Sequence, residues 1–142
     1  MPFCRGVSHD GEDPTEVLGG GDPRRQPRLG RYRLERRIGQ GGMAEVFLAR
    51  AEGPGGFEKQ VVIKRIRPQL AKNERFVEMF LREGRLLAAL DHPNIVRVFE
   101  LDEQAGEYFL ALEYLEGLSL REVVERLWHA GLTVALEPLL QV

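Results

Sequence analysis

The chain has 142 residues, 20 Lys and Arg against 22 Asp and Glu, a formal net charge of −2 and 43% hydrophobic residues. That is enough for one domain with a real core, and it leaves no global charge to draw the chain to nucleic acid or a membrane surface. Cys4 is the single cysteine, which excludes an intrachain disulfide; with His9 it makes too few ligands for a metal site, and no apolar stretch approaches the ~20 residues of a membrane span. A cytoplasmic location is expected from this usage.

Residues 1–28 are rich in Gly, Pro and Asp and poor in large apolar side chains, so they are expected to form a disordered tail. Residues 1–23 carry five acids against Arg5; Arg24, Arg25, Arg28, Arg31, Arg33, Arg36 and Arg37 then crowd one segment. That run suits a nucleic-acid patch or a solvated edge strand and linker, and the second reading is preferred. Thr15 in the acidic part reads as a phosphoacceptor or as part of an inert linker, and the linker is preferred. From Arg31 to Ile38 the pattern predicts a strand with Tyr32, Leu34 and Ile38 on one face. Glu45 to Ala49 predicts a second, with Val46 and Leu48 together. Residues 51–56 read as a loop. Lys59 to Ile66 predicts a third strand, with Val62, Lys64 and Ile66 on one face, ended by Pro68.

Asn73 can cap a helix from Glu74 to about Leu90, with Phe76, Val77, Phe80, Leu87 and Ala88 as its apolar stripe. Glu83 lies at i−4 from Leu87 and so shares its face. Asp91-His92-Pro93 stops the helix, since proline disfavours helix in the residue before it. Strands are predicted at Ile95–Leu101 and Glu107–Glu113. Ser119-Leu120-Arg121-Glu122 has the form of a capping box opening a second helix to about Ala130, with Gly131 as its C-terminal cap and Val123, Leu127 and Trp128 as its buried stripe.

Two features in this frame carry chemistry. Between the first two strands stands Gly39-Gln40-Gly41-Gly42; such glycines permit φ > 0 and close approach to a ligand, and backbone N–H groups beside a cation can hold phosphates. A plain hairpin turn is the simpler reading of the glycines alone. A strand, not a helix, follows them, which excludes a Rossmann fingerprint, and no Gly-Lys-Ser/Thr is present for a Walker A loop. The second feature is Lys64, one residue after Val61-Val62-Ile63. A surface lysine with a snorkelling stem fits, as does a partly buried one needing a partner. Glu83 is either a solvated helix charge or, on the stripe of Phe80 and Leu87, that partner.

Taken together in order, Gly39–Val46, Val61–Lys64, Phe80–Glu83, Leu90–Val96 and Leu112–Gly117 resemble the glycine loop, third-strand lysine, helix-C glutamate, following turn, and gatekeeper with hinge of a bacterial protein serine/threonine kinase of the eukaryotic-like type. The resemblance implies an α+β fold: a five-stranded antiparallel sheet with one major helix over residues 29–116, then the start of a helical second lobe over 117–142. It implies ATP as cofactor, with Lys64 on its α- and β-phosphates and paired with Glu83. Gly39, Gly41 and Gly42 would form the loop over the phosphates. Ile38, Val46 and Val62 would cover the adenine, Leu112 would be the gatekeeper, and the backbone of Glu113 and Leu115 would bond the adenine edge. Leu87 and Val98 would join the spine linking helix to sheet. No metal ligand is assigned; Mg²⁺ is expected only in a complete kinase.

Ala44 replaces the third loop glycine, and Val62 stands where the family usually has Ala, which should narrow the adenine slot. The His-Arg-Asp, Asp-Phe-Gly and Ala-Pro-Glu motifs have no counterpart in the 142 residues, so the chain is expected to be truncated before the catalytic loop. Pro138 sits oddly for the first long helix of a second lobe unless it opens that helix. The partners implied are ATP and, for the full family, a protein substrate, with no nucleic acid and no membrane segment. The alternative is a non-catalytic remnant acting as a partner-binding module. Ala111–Leu115, the apolar side of residues 119–130 and Leu136–Leu140 are expected to lie uncovered and to invite self-association.

Overall fold

The computed structural model describes Leu18 and residues 26–132; Thr15, Pro138 and Leu136–Leu140 lie outside them. The chain divides into two units, one running to Tyr114 and one starting at Leu115.

Apolar alternation in the first unit builds strands β1 (Arg28–Leu29), β2 (Tyr32–Gln40), β3 (Ala44–Glu52), β4 (Glu58–Ile66), β5 (Val98–Gln104) and β6 (Glu107–Glu113), with helix α1 (Glu74–Ala88) between β4 and β5. All pair antiparallel in the order β1-β2-β3-β4-β6-β5. The sheet thus has six strands where five were expected. The addition, β1, is two residues paired back onto Tyr32 and Arg33 through a turn at Gly30, where φ is +54°. So short a strand leaves no periodic signal. Strand β5 begins three residues later than expected, because residues 93–95 form a turn in which His92 Nδ1 accepts from the Asn94 N–H at 3.1 Å.

Both faces of the sheet carry a core. Tyr32, Leu34, Phe47, Val61, Ile63 and Phe109 form one, with Leu18 and Leu29 against it. Ala44, Ile66, Leu110 and Leu112 form the other, around Phe80 of α1. Two bulges, at Leu34/Arg36 and Arg37/Gly39, break the alternation of β2. Ile38 falls in the second and is not packed with Tyr32 and Leu34, contrary to the period-two reading. The sheet curls until the start of β2 reaches β5 at the far edge: Tyr32 and Arg31 both donate to Glu100.

Helix α1 begins where Asn73 accepts from the Arg75 N–H at 3.1 Å. Phe80 and Gly84 are its buried residues, while Ala88, assigned to the stripe, is exposed. Glycine inside a helix costs roughly 1 kcal/mol relative to Ala, so its place at the packed centre calls for a reason. An added Cβ would lie 2.8 Å from Leu110 Cδ2 and 3.3 Å from Leu101 Cδ2.

Arg28, Arg31, Arg33 and Arg37 of the arginine run stand against carboxylates. Arg33, whose side chain is buried, bonds Glu52 (2.6 Å) and Glu58 (3.0 Å), Arg28 bonds Glu52 (2.6 Å), and Arg37 lies 3.7 Å from Glu45. Ala111 and Leu112, expected to be uncovered, are buried by their neighbours within the sheet.

The second unit holds α2 (Leu120–His129). Its capping box forms as read: Ser119 Oγ accepts from the Glu122 N–H, and Glu122 accepts from the Ser119 N–H at 2.7 Å. Gly131, at φ +67°, closes the other end with bonds from Gly131 N to Trp128 O and Leu132 N to Leu127 O. Val123 and Leu127 are half-buried, but Trp128 is 81% exposed. It lies about 100° around the helix from Leu127, off the stripe.

Candidate functional site

The strand register determines what stands beside Lys64. Lys64 of β4 is opposite Val46 of β3 on one side and Leu110 of β6 on the other. Two residues along, Val62 is opposite Leu48 and Leu112, and Leu112 is in turn opposite Val98 of β5. Val46, Val62, Lys64 and Leu112 therefore share one face, that of Phe80 and α1. On this face Lys64 Nζ lies 2.6 Å from Glu83 Oε1, with the two side chains 14% and 21% exposed. Sequence periodicities of 2.0 and 3.6 put each on a core-facing stripe, and the fold brings the stripes together. A charge-assisted bond this short, with water mostly excluded, holds the ammonium at a defined point on the sheet.

Gly39, opposite Val46, and Gly41 and Gly42 form the β2–β3 hairpin. None of the three has a positive φ, so the expected use of glycine for left-handed backbone fails here. Nor would a side chain clash: an added Cβ would stand 3.6 Å from Val46 at Gly39, 3.7 Å from Ala44 O at Gly41, and in open space at Gly42. The Gly41 N–H is used within the hairpin, donating to Ala44 O at 2.8 Å. The chain's own packing gives no reason for three glycines. What remains is access, since a hairpin with three positions bare of side chains lets another molecule reach its backbone.

At the far end of this face, the Glu113 N–H donates to Arg97 O at 2.9 Å and so is not open to a ligand. Leu112 is buried between Val62 and Val98. Leu87 and Val98 are half-buried, Val98 against the cluster of Phe80. Leu115 belongs to the second unit and is 66% exposed. Sequence reading missed Gly84 and Leu110. The signal was present for Gly84: it fills the centre of the Phe80–Leu87 stripe at i+4 from Phe80. Leu110 was legible only as part of an apolar run.

Among the described residues no group of three or more His, Cys, Asp or Glu is gathered that could hold a metal ion, and no helix is long and apolar enough to cross a membrane.

Known proteins are similar to this chain in sequence and in fold. The chain is 53% identical over 95 residues to Tyrosine-protein kinase MasK of Myxococcus xanthus, covering 67% of this chain and 15% of that protein. It is 40% identical over 95 residues to Serine/threonine-protein kinase PrkC of Bacillus subtilis, covering 67% and 14%. It is 38% identical over 99 residues to Serine/threonine-protein kinase PknD of Chlamydia trachomatis, covering 70% and 10%. The chain thus spans 10–15% of the length of these curated relatives. The solved structure of the PpkA-294 apo form superposes with a TM-score of 0.57 at 23% identity, over 70% of this chain and 41% of that one. Curled antiparallel sheet and packed helix are thus those of a kinase amino-terminal lobe. The profile of the protein kinase domain matches residues 32–135, and the chain belongs to that family.

Proposed function

We propose that this chain forms the nucleotide-binding lobe of a protein serine/threonine kinase that moves the γ-phosphoryl group of ATP to a protein hydroxyl. The observation that carries the reading is the Lys64–Glu83 pair, 2.6 Å apart, on the face of β4 that follows a glycine hairpin whose own packing needs no glycine.

Those residues fit a nucleotide. Lys64 offers a fixed ammonium to the α- and β-phosphates, and Glu83 keeps it there rather than in water. Gly39, Gly41 and Gly42 leave backbone open to the phosphates. Val46 and Val62, half-buried and two residues apart along the register, offer apolar cover to a purine, Ile38 precedes Gly39 in the β2 bulge, and Leu112 limits how deep the purine enters. The Glu113 carbonyl is an acceptor for the exocyclic amine of adenine. ATP, with Mg²⁺, supplies the transferable phosphoryl group and the counter-charge; this chain's part is to bind and orient. No His-Arg-Asp or Asp-Phe-Gly sequence occurs in the 142 residues to accept the hydroxyl proton or hold the metal. The cytoplasm, where ATP is held, is the location this reading assigns.

A second reading, a partner-binding or self-associating module, draws on the exposed Leu115, Leu120, Trp128 and Leu132 of the second unit. One experiment separates the two. The matching 95 residues of MasK are replaced by those of this chain, and nucleotide binding and transfer of labelled phosphate to a generic protein are followed. Activity that Lys64→Met abolishes supports the proposal. A folded chimera that neither binds nucleotide nor transfers phosphate overturns it.

A further inference from the structure

Gly84 is the residue after Glu83, and it is buried. The atom that a Cβ at this position would meet first, at 2.8 Å, is Cδ2 of Leu110. Leu110 has no exposed surface and is packed among Ile66, Phe80 and Leu112, so its methyl has no open space to move into. Leu110 is also the register partner of Lys64. Leu101 of β5, on the other side of Leu110 in the sheet, stands 3.3 Å from the same Cβ position. The helix therefore rests its one residue without a side chain on the strand position beside the lysine, and the next residue back is the lysine's partner.

We infer that Gly84 is a positioning residue: its missing side chain sets how closely α1 approaches β6, and that approach brings the Glu83 carboxylate within bonding distance of Lys64. A methyl at 84 would push this turn of α1 off Leu110 and carry Glu83 away from the ammonium. Helix propensity argues the opposite sign for the same change, since Ala is the better helix former. The consequence for nucleotide affinity rests on the nucleotide-binding role proposed above; the effect on the ion pair does not.

The test uses the 142-residue chain. Acetic anhydride labels lysines in proportion to their free, accessible amine, and mass spectrometry gives the rate at Lys64 relative to the exposed Lys72. In Gly84→Ala, Lys64 labelling should rise severalfold over Lys72, and the melting temperature should fall despite the gain in propensity. Adding Leu110→Val, which returns the space, should restore the protection of Lys64. A folded Gly84→Ala chain with unchanged Lys64 labelling and an unchanged or higher melting temperature overturns the inference. If Gly84→Ala alone does not fold, the double variant decides: recovery of fold and Lys64 protection supports the inference, and no recovery overturns it. Titration with ATP is read separately. Failure of the wild-type chain to bind ATP defeats the nucleotide reading and leaves the labelling result standing; binding that weakens in Gly84→Ala and recovers in the double variant supports both.

Discussion

Tyr32 donates its hydroxyl hydrogen to Glu100, although three strands stand between β2 and β5 in the sheet order. Arg31 reaches the same carboxylate at 2.9 Å, and the Tyr32 ring packs edge-on against Phe109 at 5.8 Å. This contact fastens the curl of the sheet. Burial first, and the bond to Glu100 next, push the Tyr32 phenol above its usual range. Tyr32→Phe keeps the ring and removes the link. It should cost about 1.5–3 kcal/mol in urea unfolding, the range for a hydrogen bond to a charged acceptor.

Lys64→Met and Glu83→Gln break one ion pair from opposite ends. Each leaves a partly buried group without its partner, so each should cost roughly 1–2 kcal/mol of stability while keeping the fold. They should differ in nucleotide binding. Lys64→Met removes the group that meets the phosphates, and Glu83→Gln only the group that holds it. A calorimetric titration with ATP is expected to show a loss of about tenfold or more, roughly 1.4 kcal/mol, in the first and a smaller loss in the second.

Glu52 accepts from Arg33 and Arg28, and those bonds, Arg33 first, hold its carboxyl below the usual carboxylate range. Because the folded value lies below the unfolded one, the group adds stability above the ordinary carboxylate pKa and loses it as pH falls through the folded value. The melting temperature of the wild type should exceed that of Glu52→Gln at pH 7. The gap should close as the pH is lowered below about 4.

The β5–β6 hairpin turns on Ala105 and Gly106, at φ +52° and +81°. Two central residues with positive φ suit Asn-Gly, and alanine in that region carries roughly 1 kcal/mol of strain. Ala105→Asn should therefore raise stability by about that amount, seen as a higher denaturant midpoint with an unchanged slope.

Local chemistry was written in the sequence. Asn73 before α1, Ser119 and Glu122 around α2, and Gly131 behind it are caps that need only neighbours three or four residues away. Lys64 and Glu83 were legible because each stands on a stripe whose period its own element defines. The tertiary structure decided what depends on residues far apart in the chain. Pairing determined that β2 bulges twice, taking Ile38 out of line with Leu34. The curl determined that Arg31 and Tyr32 meet Glu100. The approach of α1 to β6 determined that Gly84, by its lack of a side chain, lies against Leu110 beside Lys64. Period and capping act within one element, whereas register, curl and the distance between helix and sheet follow from which distant side chains pack, so no single segment encodes them.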